Sequence, residues 1–248
     1  MHADGEVGFG GFLPDDRALV VSGGISHGFD QGCVELVAVL EGAGLDVDVI
    51  DEPNDLAQLD HELLAVDALW WTMTASRYDT VRVEWARSLD DLAKRAVEDH
   101  VSLGRSILAV HTAMICFDEW PRWGELLGAR WNWDRSSHPP LDDTPINVSV
   151  ATDRHEITRG LSDFQIIDEV YGFLDLALDV DPLATSAHGG ADHPLLWARE
   201  LDTDSRVVVD LLGHDHRSMD HLVHREILRR SVHWLLELDE PVDTEAAA

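Results

Sequence analysis

The stretch that most constrains the fold is Gly104 to Trp120, where a short apolar run stops at a histidine. Residues 106–110 read SILAV, a pattern that predicts a buried parallel strand. His111 follows directly, and the apolar pattern after it predicts a helix. A strand that turns sharply into a helix presents the residue at the turn at the carboxyl edge of the sheet, where open α/β sheets bind ligands. The sequence therefore places an imidazole where a strand–turn–helix elbow would hold a nucleophile.

The order of the predicted elements indicates an α/β protein with a mostly parallel sheet flanked by helices. The first half predicts strands at 17–22, 46–51, 67–72 and 106–110, and helices at 31–41 and 81–100. The second half predicts a strand at 145–151, a strand pair at 193–199 and 206–211, and a helix at 221–238 with Leu222 on its buried side. We therefore predict one domain over 17–238, a loose arm at 1–16 and an acidic tail at 239–248.

Charge is the compositional anomaly of this chain. Forty-eight acidic residues face 18 basic ones, the formal net charge is −30, and Lys94 is the only lysine. A surface of this sign repels phosphate backbones and anionic membranes, so neither nucleic acid nor a membrane is an expected partner. Two interpretations stay open: an ordinary acidic protein from a GC-rich genome, or a chain adapted to a salt-loaded cytoplasm. We favour the second, because excess charge of this size strains a compact state at low ionic strength.

Cysteine usage and the first residues both favour a cytoplasmic protein. Cys33 and Cys116 are too few for a disulfide framework. The N-terminus has no basic segment followed by an apolar one, as a secretory signal would. No apolar run approaches the roughly 20 residues of a membrane span. The sequence leaves the oligomeric state open, with a homo-oligomer among the alternatives.

Three of the 14 histidines follow predicted strands. His27 follows the first strand, His111 ends the central one, and His214 follows the strand at 206–211. If these strands are parallel neighbours, the three imidazoles emerge at one edge of the sheet. They could hold a divalent metal such as zinc with a position open for water or substrate. They could equally transfer protons without a metal, or be unrelated surface histidines.

A cysteine nucleophile is disfavoured by its position. Cys116 lies five residues beyond the end of the predicted strand, between Ile115 and Phe117, inside the predicted helix. A buried helical thiol is usually inert packing. Gly-rich phosphate loops of the P-loop or Rossmann type are also missing from the sequence.

A set of ordered landmarks resembles the trehalose-utilisation (ThuA-like) family, which is built on the flavodoxin-like fold of the class I glutamine amidotransferases. The landmarks are LAVHTA, LLGARW, SSHPP, RHEITRGLSDFQIIDEVY, PLLWARE and RVVVDLLGHD, and the resemblance runs from about Arg17 to Leu238. It implies that His111 stands at about the elbow position that amidotransferases give to cysteine. It also implies that His214 lies where their later catalytic histidine belongs. The pocket would then be kept and the glutaminase nucleophile lost.

The resemblance implies carbohydrate utilisation, with trehalose, other oligosaccharides or keto-sugars as substrates. Our first hypothesis is an enzyme, a metal- or histidine-dependent hydrolase or isomerase, in which Glu169 is general acid or base beside His111 and His214. The substrate-binding candidates are Trp70, His138, Tyr171 and Trp197, and the metal candidates are His27, His111 and His214. The tryptophan-rich segment 120–133 is interpreted as a partial lid or as core packing. The alternatives are a non-catalytic sugar-binding or regulatory protein and, least favoured, a hydrolase that uses Cys116.

We predict that folding requires salt, because salt screens the repulsion among the 48 acidic residues. The screening length falls from about 10 Å at 0.1 M to about 3 Å at 1 M salt. Thermal melts in increasing KCl should show midpoints that rise well beyond about 0.5 M, where weak surface effects are already screened. Midpoints that stay flat or fall over that range would contradict the halophile interpretation.

Overall fold

A nine-stranded mixed sheet forms the centre of the computed structural model, which describes residues 16–24, 28–70 and 87–238. The strands are β1 (Arg17–Gly24), β2 (Asp46–Ile50), β3 (Leu63–Leu69), β4 (Ser106–Val110), β5 (Ala129–Arg130), β6 (Ile146–Val150), β7 (Phe164–Ile166), β8 (Asp175–Leu176), β9 (Ala184–His188), β10 (Ala191–Glu200) and β11 (Arg206–Asp210). The α-helices are α1 (Phe29–Gly42), α2 (Asp91–Ser102), α3 (Pro121–Leu127), α4 (His216–Met219) and α5 (Leu222–Leu235).

The strand order in the main sheet is β2-β1-β3-β4-β11-β10-β9-β6-β7, while β5 and β8 form a separate pair. Neighbours from β2 to β11 pair in parallel, and the pairs from β11 to β7 are antiparallel. Every residue of β3 and β4 is buried, which explains their continuous apolar runs. The predicted α/β fold with a flanked, mostly parallel sheet is confirmed.

Helices cover the sheet and contact one another through ion pairs. Helices α1 and α5 pack together and against the sheet, and Arg225 of α5 pairs with Glu35 of α1. On α3, Arg122 Nε donates to Glu98 of α2 over 3.2 Å. None of the helices in the described part of the chain combines the length and apolar character that a bilayer span requires.

Two of the predicted elements begin at residues that differ from those expected. The helix expected at 81–100 is α2, and it starts at Asp91 because the Asp90 carboxylate caps it, accepting from Leu92 N at 2.9 Å and Ala93 N at 2.8 Å. The strand expected at 67–72 is β3, which starts at Leu63, where the apolar run begins. Residues 71–86 lie outside the described part of the chain.

The prediction of an α-helix directly after β4 is wrong. His111–Met114 forms a single 3₁₀ turn, and the next helix, α3, begins only at Pro121. Phe117 has a left-handed φ of +55°, which interrupts a right-handed helix, and a proline is tolerated only in the first turn of the helix that follows. Cys116 therefore lies in a buried turn and not in a helix.

At the C-terminal end, α5 corresponds to the predicted helix at 221–238 but is shorter. Ile227, Leu228 and Leu235 are buried as predicted, whereas Leu222 is 83% exposed. Leu222 is the first helical residue and extends past the surface that α5 buries, so placing it on the buried side was wrong. The predicted arm, apart from Asp16, and the predicted tail lie outside the described residues.

We predict that His100 lowers the free energy of unfolding in mild acid. Burial lowers the pKa of His100 from 6.5 to about 4, and its Nε2 lies 2.8 Å from the Ser106 carbonyl. The unfolded chain therefore binds a proton more readily, and stability falls as the pH drops from about 6.5 towards about 4, by up to roughly 3 kcal/mol. Urea denaturation across this range should show a smaller loss for His100→Gln, which keeps a donor but does not titrate. If the free energies of unfolding of the two proteins fall in parallel as the pH drops, His100 is not the group that titrates.

Candidate functional site

His111 occupies a strained turn at the carboxyl end of β4. Its φ is +43°, in the left-handed region that non-glycine residues rarely adopt, and its side chain is buried. Its Nδ1 lies 2.8 Å from the Leu211 carbonyl oxygen. A carbonyl oxygen can only accept, so Nδ1 carries the hydrogen, and in the neutral imidazole Nε2 keeps the lone pair. The fold thus fixes both the position and the tautomer of this imidazole.

Glu169 is a buried carboxylate surrounded by imidazoles. Its Oε1 lies 2.9 Å from His138 Nδ1 and 3.6 Å from His214 Nε2, and its Oε2 lies 3.6 Å from His111 Nε2. A buried carboxylate is unfavourable unless it is paired, and His138, at hydrogen-bond distance, provides the closest partner. The hydrogen bond that His138 donates to Glu169 raises the pKa of His138 and outweighs the opposite effect of burial. Of the predicted site residues, the structure therefore brings His111, His138, Glu169 and His214 together.

Tyr171 completes this cluster through its hydroxyl group. The hydroxyl lies 3.1 Å from His111 Nε2. Burial raises the pKa of Tyr171 well above its usual value, and the carboxylate of Glu169 adds to that effect. The hydroxyl therefore stays protonated and donates to Nε2. The ring is 1% exposed and packs against His111, His138 and Trp131, so Tyr171 offers a hydroxyl group and not the predicted stacking face.

Asp168 holds the loop that carries His214. Its Oδ2 accepts from Gly213 N at 2.7 Å, and its Oδ1 accepts from Glu169 N at 2.7 Å and from His214 N at 3.4 Å. Burial raises the pKa of Asp168 to about 6. Gly213 has a φ of +119°, and a Cβ there would lie 2.9 Å from Val110 Cγ1, so this position requires glycine. With the loop held in this way, the His111 and His214 rings lie edge-on to each other, with centroids 5.3 Å apart.

The segment after α3 reaches the site through one short pairing. Ser137 N donates to the Gly172 carbonyl at 3.2 Å, and Gly172 N donates back to the Ser137 carbonyl at 2.8 Å. This pairing places His138 beside Glu169 and brings Trp131 edge-on to Tyr171 at 5.2 Å. Sequence reasoning named the whole 120–133 segment but did not single out Trp131; the available signal was the WNW run just before SSHPP.

Three further tryptophans, Trp70, Trp123 and Trp197, are buried. Trp197 is fully buried and donates from Nε1 to the Leu127 carbonyl at 2.8 Å, so predicting it as a stacking residue was wrong. Trp123 is buried and donates to the Ala113 carbonyl at 2.8 Å, which makes that part of the segment core. Trp70 is 4% exposed and lies 5.9 Å from the Arg87 guanidinium. Its role in binding stays a prediction. His27 lies outside the described residues.

Cys116 is not placed or ionised to act as a nucleophile. Its thiol is buried, as the sequence predicted, and Sγ accepts from Trp70 N at 3.4 Å. Burial raises the pKa of the Cys116 thiol far above its usual value, so the nucleophilic thiolate does not form near neutral pH.

Comparison with known structures shows the same fold. A ThuA-like protein from Parabacteroides merdae aligns with a TM-score of 0.70 at 18% identity, covering 90% of each chain. A ThuA-like protein from Bacteroides uniformis aligns with a TM-score of 0.63 at 14% identity, covering 94% of this chain and 97% of that one. A glutamine amidotransferase from Thermotoga maritima gives 0.53 at 9% identity, covering 89% and 98%.

In sequence comparison, none of the curated proteins matches this chain. The ThuA family, described as trehalose utilisation, matches it over residues 17–235. Because this match spans most of the chain, and because the structural neighbours have the glutamine amidotransferase-like fold, the chain belongs to the ThuA family.

Proposed function

We propose that the protein is an enzyme of carbohydrate utilisation that transfers protons to and from a sugar. Membership of a family described as trehalose utilisation supports the carbohydrate setting. The observation that carries the chemistry is the buried Glu169 carboxylate with three imidazoles within 3.6 Å. Histidines and carboxylates are the side chains that most often act as general acids and bases.

Two neighbouring groups suit opposite halves of a proton transfer. Glu169 is the acceptor, since a carboxylate buried among imidazoles is protected from water and directed at a small volume. His138 is the donor, because the hydrogen bond that it donates to Glu169 raises its pKa and because its side chain is 39% exposed and so accessible to a ligand. Environments that separate the proton affinities of adjacent groups are typical of acid–base pairs.

The remaining groups position the substrate. The Tyr171 hydroxyl and the His111 imidazole form a hydrogen-bonded pair in the buried part of the cluster, next to Glu169. Trp131 and His138 are partly exposed, with ring centroids 6.2 Å apart, and they form an aromatic wall at its rim. Aromatic faces pack against the C–H surfaces of sugar rings. This arrangement supports an oligosaccharide or its keto form as the substrate class, and cleavage or isomerisation as the reaction.

We predict that Glu169→Gln abolishes most of the activity. The substitution keeps the shape of the side chain and one acceptor oxygen but removes its proton-accepting charge, so kcat should fall by about 10²–10⁴-fold. Turnover should be measured on trehalose, other disaccharides and their keto forms. Glu41→Gln, a change of the same chemistry at the exposed end of α1, should retain full activity. Wild-type activity in Glu169→Gln, or saturable sugar binding without any turnover, would contradict the proposal.

We predict different effects for two tryptophans. Trp131→Ala should fold normally and weaken sugar binding, which titration of tryptophan fluorescence measures. Trp197→Ala should lower the free energy of unfolding by roughly 3–5 kcal/mol, because it leaves a cavity in the core. Unchanged sugar affinity in Trp131→Ala would remove the aromatic wall from the site.

A further inference from the structure

We infer that His111, Glu169 and His214 bind one divalent transition-metal ion, through the two Nε2 atoms and a carboxylate oxygen. One ligand atom from each of the three residues lies within 4.8 Å of the other two. His27, the third metal candidate from the sequence, lies outside the described residues, and Glu169 is the third ligand that the structure places beside His111 and His214. The inference concerns the site of the proposed function, but metal binding can be measured without any sugar.

The separations match the coordination shell of such an ion. Bonds of about 2.0–2.1 Å in a tetrahedral arrangement hold ligand atoms roughly 3.3–3.4 Å apart. Glu169 Oε2 lies 3.6 Å from His111 Nε2, and Glu169 Oε1 lies 3.6 Å from His214 Nε2. The two distances involve different oxygens of Glu169, and one ligand atom from each of the three residues lies within 4.8 Å of the other two. Closing the site around an ion therefore requires side-chain shifts of about 1 Å or less from each ligand.

Each proposed ligand is oriented by a second group. His111 donates from Nδ1 to the Leu211 carbonyl, the kind of bond that fixes the tautomer of metal-binding histidines. The backbone NH of His214 is bound by Asp168, and the Glu169 carboxylate is hydrogen-bonded by His138. A metal would take the lone pair of His111 Nε2 from the Tyr171 hydroxyl. That hydroxyl would then be available to a metal-bound water or to the substrate.

The charges of the site favour a cation. Asp168 and Glu169 are adjacent and both buried. Among the described residues, neither carboxylate forms an ion pair with a lysine or arginine, and the basic side chains close to Glu169 are all histidines, which are charged only when protonated. A divalent ion would therefore offset buried negative charge that neutral imidazoles only hydrogen-bond.

The ligand types indicate the class of metal. Two imidazoles and one carboxylate suit zinc, iron(II), manganese or cobalt, whereas magnesium and calcium prefer oxygen ligands. Three protein ligands leave a position open, as in catalytic zinc sites, where the metal makes bound water more acidic. With an ion bound, Glu169 would be a ligand, and the hydroxide left after the acidified water loses its proton would be the base, so the proposed function requires Glu169 in either form.

The test is metal content and affinity in untagged protein purified without chelators. Elemental analysis should show about one equivalent of a transition metal per chain. After removal of the metal with dipicolinate, calorimetric titration with Zn²⁺ in high salt should give a single site. Excess Mg²⁺ should not displace the bound zinc. His214→Ala and Glu169→Gln should each weaken zinc binding by more than about 100-fold, since changes in outer-shell groups alone cost roughly 10–100-fold.

The matched control is His61→Ala, which removes a histidine placed 3.0 Å from Asp48 and 3.3 Å from Asp60, before the amino end of β3. This variant should bind zinc as the wild type does. Circular dichroism establishes that each variant is folded, and Glu169→Gln serves as the test if His214→Ala is not. Protein that neither retains nor binds a transition metal, or ligand variants with wild-type affinity, would overturn the inference. Metal binding without sugar turnover would contradict only the proposed function, and sugar turnover by protein that does not bind a metal would contradict only the metal site.

Discussion

The site depends on the parallel pairing of β4 with β11. In their register Val110 lies opposite Asp210, so the next residues, His111 and Leu211, leave the sheet side by side. The hydrogen bond from His111 Nδ1 to the Leu211 carbonyl then joins two segments 100 residues apart in the chain. The same loop continues through Gly213 to His214. One strand pairing therefore sets the position of two imidazoles and the tautomer of the first.

Around these imidazoles the protein buries two carboxylates, although its net charge is already −30. Asp168 is stabilised by backbone amides, which it binds to shape the His214 loop. Glu169 is stabilised by histidines, which are the groups that can exchange a proton or coordinate a metal. The interactions that make burial of Glu169 tolerable are thus the ones that give the site its chemistry. The proposed proton transfer and the proposed metal binding would both use the same imidazole lone pairs.

The parts that could be predicted from the sequence are those with a local signal. The strand β4 is a continuous apolar run because both of its faces are buried, and its end is marked by His111. The convergence of His111 and His214 follows from parallel topology alone. Glu169 and Tyr171 lie in an irregular segment whose position depends on the Ser137–Gly172 pairing, and such long-range backbone contacts have no local pattern. Trp197 was misplaced because its strand is covered on both faces, so a large aromatic residue there fills the core.

Nuclear magnetic resonance of the ring nitrogens of His111 gives the most direct test of this arrangement. In protein labelled with ¹⁵N histidine near neutral pH, and with the signals assigned by comparison with His111→Gln, the chemical shifts distinguish protonated from unprotonated ring nitrogens. We predict a protonated Nδ1, bound to the Leu211 carbonyl, and an unprotonated Nε2 facing Tyr171 and Glu169. A protonated Nε2 with a bare Nδ1 would contradict the link between the strand pairing and the chemistry of the site.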